Sequence, residues 1–177
     1  MLLHWLWFSA LDKITPRQKG LLLQHFSDPE EIYCAQEKRL ASIEGVSQGT
    51  LAALSDKDLS RARAIAADCR AKHVNILTFQ DAAYPSRLRN IPDPPVVLYY
   101  SGILPDFDSQ PVIAVVGTRK ASPYGISATK EISAQMASCG ALVISGGATG
   151  VDTAAMEMAL ATGNATVGVL GCGVDIV

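Results

Sequence analysis

The sequence predicts a mixed α/β chain in which a small helical unit precedes a parallel sheet carrying helices on both faces. Three observations carry that expectation. Residues 1 to 73 read as short helices divided by polar turns, and residues 80 to 95 crowd Pro92, Pro94 and Pro95 into a stretch that no helix can cross. From residue 112 onward, short apolar runs alternate with helix-length segments, the pattern of parallel strands joined by crossover helices. The 177 residues suffice for one full domain and a smaller one, and with 49% hydrophobic and 18% charged residues the chain can bury a core.

The opening MLLHWLWFSALDK has an apolar stretch but neither a basic n-region nor a small-residue cleavage site, and it is too short to span a bilayer. It reads as a first helix over 2–11, with Trp5 and Phe8 as packing residues at i and i+3. Further helices are expected over 16–26, 28–34, 36–41, 47–54 and 57–73. Thr15 before Pro16 is an N-cap with proline at the first helical position, and Asp28-Pro29-Glu30-Glu31 repeats the device with acids in the first turn. In the last helix Ala62, Ile65, Ala66 and Cys69 make one buried face beside exposed Arg61, Arg63 and Arg70. Ser42 to Ser47 is either a plain tight turn or a hairpin whose amides hold a phosphate, and Glu44 favours the plain turn by placing a negative charge there.

Residues 74–79 and 96–100 read as strands, with the domain boundary near 75 to 80. The division expected is a helical unit over 1–75, a connector over 76–111 packed on the second domain, and a sheet domain over 112–177. In that domain the strands fall at 112–116, 141–145 and 165–170 and the helices at 124–139 and 151–161. The first helix is expected to face the sheet through Ile132, Met136 and Cys139, the second through Val151, Ala154, Ala155 and Met158. The result is a doubly wound, Rossmann-like fold that stops just after its third parallel strand, so more sequence is expected to follow.

In such sheets ligands lie outside the carboxyl ends of the strands. The three strand-end loops are Gly117 to Gly125, Ser145 to Asp152 and Gly171 to Asp175, all glycine-rich and expected to converge on one edge. Glycines allow close backbone approach, amides at a helix N-terminus favour an anion, and Arg119 and Lys120 add formal charge. The candidate phosphate-binding residues are Gly117, Thr118, Arg119, Lys120, Ser122, Ser145, Gly146, Gly147, Thr149 and Gly150. The net charge of −2 excludes a generally cationic coat for nucleic acid, so any such site is a local patch. No GxGxxG follows the first strand and no GxxxxGK[ST] occurs, so neither a dinucleotide nor ATP is the expected cofactor.

Catalytic signals are absent too. Ser145 lacks the leading glycine of a nucleophile elbow, and His4, His25 and His73 all fall in the helical front. Asp152 reads as a first-turn acid that stabilises its helix. Cys34, Cys69, Cys139 and Cys172 are far apart with no CxxC pair, which predicts reduced, metal-free thiols and a cytoplasmic setting.

These residues resemble the DNA-processing protein A (DprA/Smf) family. The likeness lies in Val115-Val116-Gly117-Thr118-Arg119, Ser122-x-Tyr124-Gly125, Ser145-Gly146-Gly147-Ala148-x-Gly150-Val151-Asp152-x-Ala154-Ala155 and Val169 to Asp175. Gln24 to Glu30 and Tyr84-Pro85-x-x-Leu88 are similar to that family's sterile-alpha-motif-like domain and linker. The resemblance implies a protein that binds and shields incoming single-stranded DNA in natural transformation and helps load the RecA recombinase, as a homodimer when full length, with no cofactor, metal, membrane association or catalysed reaction. It implies that Arg119 contacts DNA and that Gly146, Gly147 and Gly150 form the phosphate-facing turn. Thr149 stands at a position often basic in the family, and Met156 where histidine is common. Two alternatives remain: a phosphoribohydrolase on the related PGGxGTxxE pattern, where Thr153 occupies the glutamate position, and an interaction scaffold without DNA binding.

Overall fold

The structure is a computed structural model and describes residues 1–176. Two compact units divide at Gly102 and Ile103.

The first unit holds helices α1 (Leu2–Ala10), α2 (Pro16–His25), α3 (Pro29–Cys34), α4 (Glu37–Ala41), α5 (Gln48–Leu54) and α6 (Ser60–Ala71). Their starts sit where the capping residues place them. Thr15 and Gln18 form a reciprocal capping box before α2, and Asp28 Oδ1 accepts from the amides of Glu30 and Glu31 before α3. The apolar faces close on one core in which Trp5, Phe8, Leu22, Ile32 and Leu54 are buried. Trp7 Nε1 donates to the Asp56 carbonyl at 2.8 Å and the Tyr33 hydroxyl to the Lys57 carbonyl at 2.8 Å, tying α1 and α3 to the turn before α6. The Ser42 to Ser47 segment is a turn with Gly45 at φ +90°, packed so that a Cβ there would lie 3.1 Å from Leu21.

The same unit contains β1 (Asn75–Thr78), α7 (Ser86–Arg89) and β2 (Val97–Tyr100), and the two strands pair antiparallel with Asn75 opposite Tyr100. This corrects the expected connector. Residues 76–102 belong to the helical unit, because Val96 and Val97 enter its core and Ile76 and Phe79 pack against it. The stretch between the strands is held locally: Asp81 Oδ2 accepts from Thr78 N and Oγ1, and the buried Tyr84 donates its hydroxyl to the Pro95 carbonyl at 2.7 Å. Burial pushes the Tyr84 phenol up to about 12.

The second unit holds β3 (Val112–Ala114), α8 (Pro123–Ser138), β4 (Leu142–Ser145), α9 (Val151–Ala161) and β5 (Thr166–Gly168). Its sheet is parallel throughout in the order β3-β4-β5, with Ile113 beside Val143 and Val143 beside Thr166. The mixed α/β class stands, with one correction to the layering. Both crossovers step in the same direction, so right-handed connections put α8 and α9 on one face, where they pack on each other. The strand order never reverses, so the two helices of this unit share that face.

The face of α8 also differs from expectation. Ser133 and Ala137 are buried, whereas Ile132 is 55% exposed and Met136 and Cys139 are exposed as well. A helix wedged against both the sheet and α9 needs small residues at the seam, and Ala137 meets Val143, Ala155 and Ala159 there. The larger side chains are displaced outward.

Candidate functional site

The carboxyl ends of β3, β4 and β5 bring the three glycine-rich loops together. A Cβ on Gly117 would lie 2.6 Å from Val151 Cγ2, and one on Gly150 would lie 2.5 Å from the Thr118 carbonyl oxygen. The first loop thus abuts the second with no room for a side chain at either glycine, and the Val151 amide donates to the Thr118 carbonyl at 3.3 Å. The second loop meets the chain that leaves β5 toward the third loop through Gly147, whose Cβ would lie 3.0 Å from Leu170 Cδ2, and through the Val169 amide, which donates to the Ser145 carbonyl at 2.8 Å. The convergence expected from strand order is therefore present. Its glycines are required first by loop-on-loop packing.

The ten candidate residues separate by what their groups already hold. Arg119 and Lys120 are exposed, and their cationic groups have no ion pair or hydrogen bond among the described residues. Thr118 Oγ1 accepts from the Lys120 amide at 3.1 Å and fixes the turn that presents both. Ser122 caps α8, its Oγ accepting from the Gly125 amide at 3.1 Å, which sets the helix start beside the loop. Gly146, Gly147 and Thr149 are exposed on the second loop, with Gly147 at φ +71° and Gly150 at φ +91°.

Ser145 is corrected. It is only 3% exposed and its hydroxyl donates to the Val115 carbonyl at 2.7 Å, stapling β4 to the chain that leaves β3. It is not placed to touch a ligand. Ser145→Ala is expected to cost about 1 kcal/mol by leaving the part-buried Val115 carbonyl without this donor, while DNA affinity stays as in the wild type. Urea unfolding followed by far-ultraviolet circular dichroism checks the first part and oligonucleotide anisotropy the second. A large affinity loss in a stable variant would restore Ser145 to the site.

The amides at the start of α9 are also more committed than the sequence suggests. Val151 donates to Thr118, the Thr153 amide donates to the Ala148 carbonyl at 3.1 Å, and the Ala148 amide donates to Asp152 Oδ2 at 3.3 Å. The amides left without an acceptor among the described residues are those of Gly146, Gly147, Thr149 and Gly150 on the loop and, in the first turn of α9, that of the buried Asp152. An anion would rest on this exposed arc, flanked by Arg119 and Lys120, rather than on the first turn of the helix. Asp152 has a role the sequence left as generic helix stabilisation: 6% exposed, it clamps the turn through Oδ2 while Oδ1 has no hydrogen-bond partner. The signal was the four-residue step from Ala148 to Asp152, which lets a side chain reach back over a glycine turn.

Among the described residues no group of three or more His, Cys, Asp or Glu could hold a metal ion, and no helix is long and apolar enough to cross a membrane. Thr153, at the position where the phosphoribohydrolase pattern needs glutamate, uses its hydroxyl to donate to the Ala148 carbonyl at 2.8 Å.

The sequence profile of DNA recombination-mediator protein A matches residues 75–177, which include all three loops. The chain belongs to the DNA recombination-mediator protein A family. Among curated family relatives, Protein Smf of Synechocystis sp. is 31% identical over 178 residues, covering 98% of this chain and 45% of that protein. DNA processing protein DprA of Streptococcus pneumoniae is 40% identical over 96 residues, 54% of this chain and 33% of that protein. The X-ray structure of DNA processing protein A from S. pneumoniae superposes with a TM-score of 0.72 at 28% identity, covering 98% of this chain and 58% of that one. A family structure from Helicobacter pylori, described for its single-stranded DNA binding mode, matches with a TM-score of 0.51 at 32% identity over 60% of this chain and 47% of that one. The chain thus spans less than half the length of the curated relatives it matches.

Proposed function

We propose that this chain binds single-stranded DNA at the carboxyl edge of its parallel sheet, shields it, and in the whole protein delivers it to the RecA recombinase during transformation. The observation that carries this reading is the pairing of two uncommitted cations, Arg119 and Lys120, with the free amides of Gly147, Thr149 and Gly150 at one loop junction. Phosphates of a strand fit such an arc: guanidinium forks and backbone amides both donate to phosphate oxygens. The H. pylori relative, described as binding single-stranded DNA, supports the same ligand here. We assign the DNA contact to the sheet-bearing unit, a non-catalytic role to the chain, a homodimer to the whole protein and the cytoplasm as its compartment.

Arg119→Ala is the test. Phosphate contacts carry little sequence information, so the variant should weaken binding to every strand alike, by roughly tenfold. The slope of log affinity against log salt should flatten by about 0.7, the share of one phosphate on a single strand. The side chain is exposed, so the fold should persist. Lys120→Ala should act in the same direction more weakly. A salt titration of oligonucleotide anisotropy reads both, and unchanged affinity and slope in folded Arg119→Ala would place DNA elsewhere on the protein.

A further inference from the structure

Where α8 and α9 lie against one another, a cleft of about 260 Å³ opens next to the free-amide arc. Ile126 and Lys130 of α8 line one wall, one helical turn apart, and Thr149, Gly150, Ala154 and Glu157 follow the other from the arc down α9. Lys130 and Glu157 line this space and carry opposite charges, and neither makes an ion pair among the described residues. That combination discriminates among ligands. A second phosphate is repelled by Glu157 and a cation by Lys130, while a purely apolar group leaves both charges without partners. A flat, neutral group with apolar faces and an edge bearing acceptors beside donors satisfies every wall at once.

A nucleobase has that form, and guanine has it most completely. Its O6 and N7 accept from a lysine, while its ring and exocyclic N–H groups donate together to a carboxylate. Thymine offers a single ring N–H between two carbonyls. We propose that the Lys130–Glu157 cleft seats one guanine base of a bound strand, giving a backbone-driven interface a base preference. The proposal rests on the reading of this edge as a single-stranded DNA site.

The experiment measures anisotropy of a short oligo-thymidine with and without one central dG, for wild type and Glu157→Ala. Wild type should bind the dG strand roughly tenfold tighter, the range of a paired base-edge contact. In Glu157→Ala that preference should fall to within about twofold while oligo-thymidine affinity and salt slope hold. Wild type binding both strands equally overturns the seat and leaves the DNA reading standing. Binding to neither strand overturns both. An equal gain on both strands in Glu157→Ala would show that the glutamate only repels phosphates, which also overturns the seat. Free dGMP separates the two sources of the base: competition at concentrations as low as the strand's own would assign the cleft to a loose nucleotide and refute a strand-borne guanine.

Discussion

Gly150→Ala is expected to destabilise the sheet unit by about 3 kcal/mol or more and to abolish DNA binding for every sequence. Gly150 sits at φ +91° and ψ −125°, a conformation in which a side chain costs about 1–3 kcal/mol. The added Cβ would also lie 2.5 Å from the Thr118 oxygen and 2.7 Å from the Arg119 oxygen. Both are backbone atoms that move only if the first loop is levered off the second, an overpacking cost of about 1–3 kcal/mol more. Levering the loops apart also carries Arg119 away from the free amides. Gly163→Ala is the matched control: its φ is +80° but nothing lies within 4 Å of its Cβ position, so only the left-handed penalty of about 1–2 kcal/mol applies. Urea melts by circular dichroism and strand anisotropy compare the two, and equal stability with intact binding in both would show that the loops do not abut.

Trp5→Ala should cost about 3–5 kcal/mol, enough to unfold a marginal helical unit at room temperature. The indole is 1% exposed in a core to which helices α1 to α6 and β2 contribute side chains. Trp5→Phe, which keeps a ring there, should lose far less. Trp7 is the remaining tryptophan and lies in the same unit, so its emission follows the unfolding directly. A Trp5→Ala protein that melts within about 1 kcal/mol of wild type would mean that the core collapses around the gap, contrary to the packing described.

Local chemistry was legible in the sequence wherever a residue acts on its immediate neighbours. Thr15-Pro16 and Asp28-Pro29 mark helix starts because capping depends on side chains reaching amides two or three residues away. The three loops were placed on one edge because parallel strands in series have only one carboxyl end. What failed depended on neighbours distant in sequence. The apolar period of α8 admits either Ile132 and Met136 or Ser133 and Ala137 as the buried face, and only the closeness of α9 selects the small pair. Similarly, Val96 and Val97 carry no mark of whether they pack on the helices before them or the sheet after them; their pairing with β1 decides it. Ser145 was misread for the same reason, since its partner, the Val115 carbonyl, lies 30 residues away.

The interlock between Gly117 and Val151 constrains how the site can diverge. The imagined Cβ at 117 meets not only both methyls of Val151 but also its Cβ, at 2.7 Å, so trimming Val151 to alanine leaves the collision in place. Only a glycine at 151 would clear the space, at the first position of α9, where it loosens the helix by about 1 kcal/mol. A lineage therefore has no neutral single step toward a side chain at 117: the loss at 151 must come first and be tolerated alone. The two positions are expected to be inherited as a unit, locked by geometry before any ligand exerts selection on them.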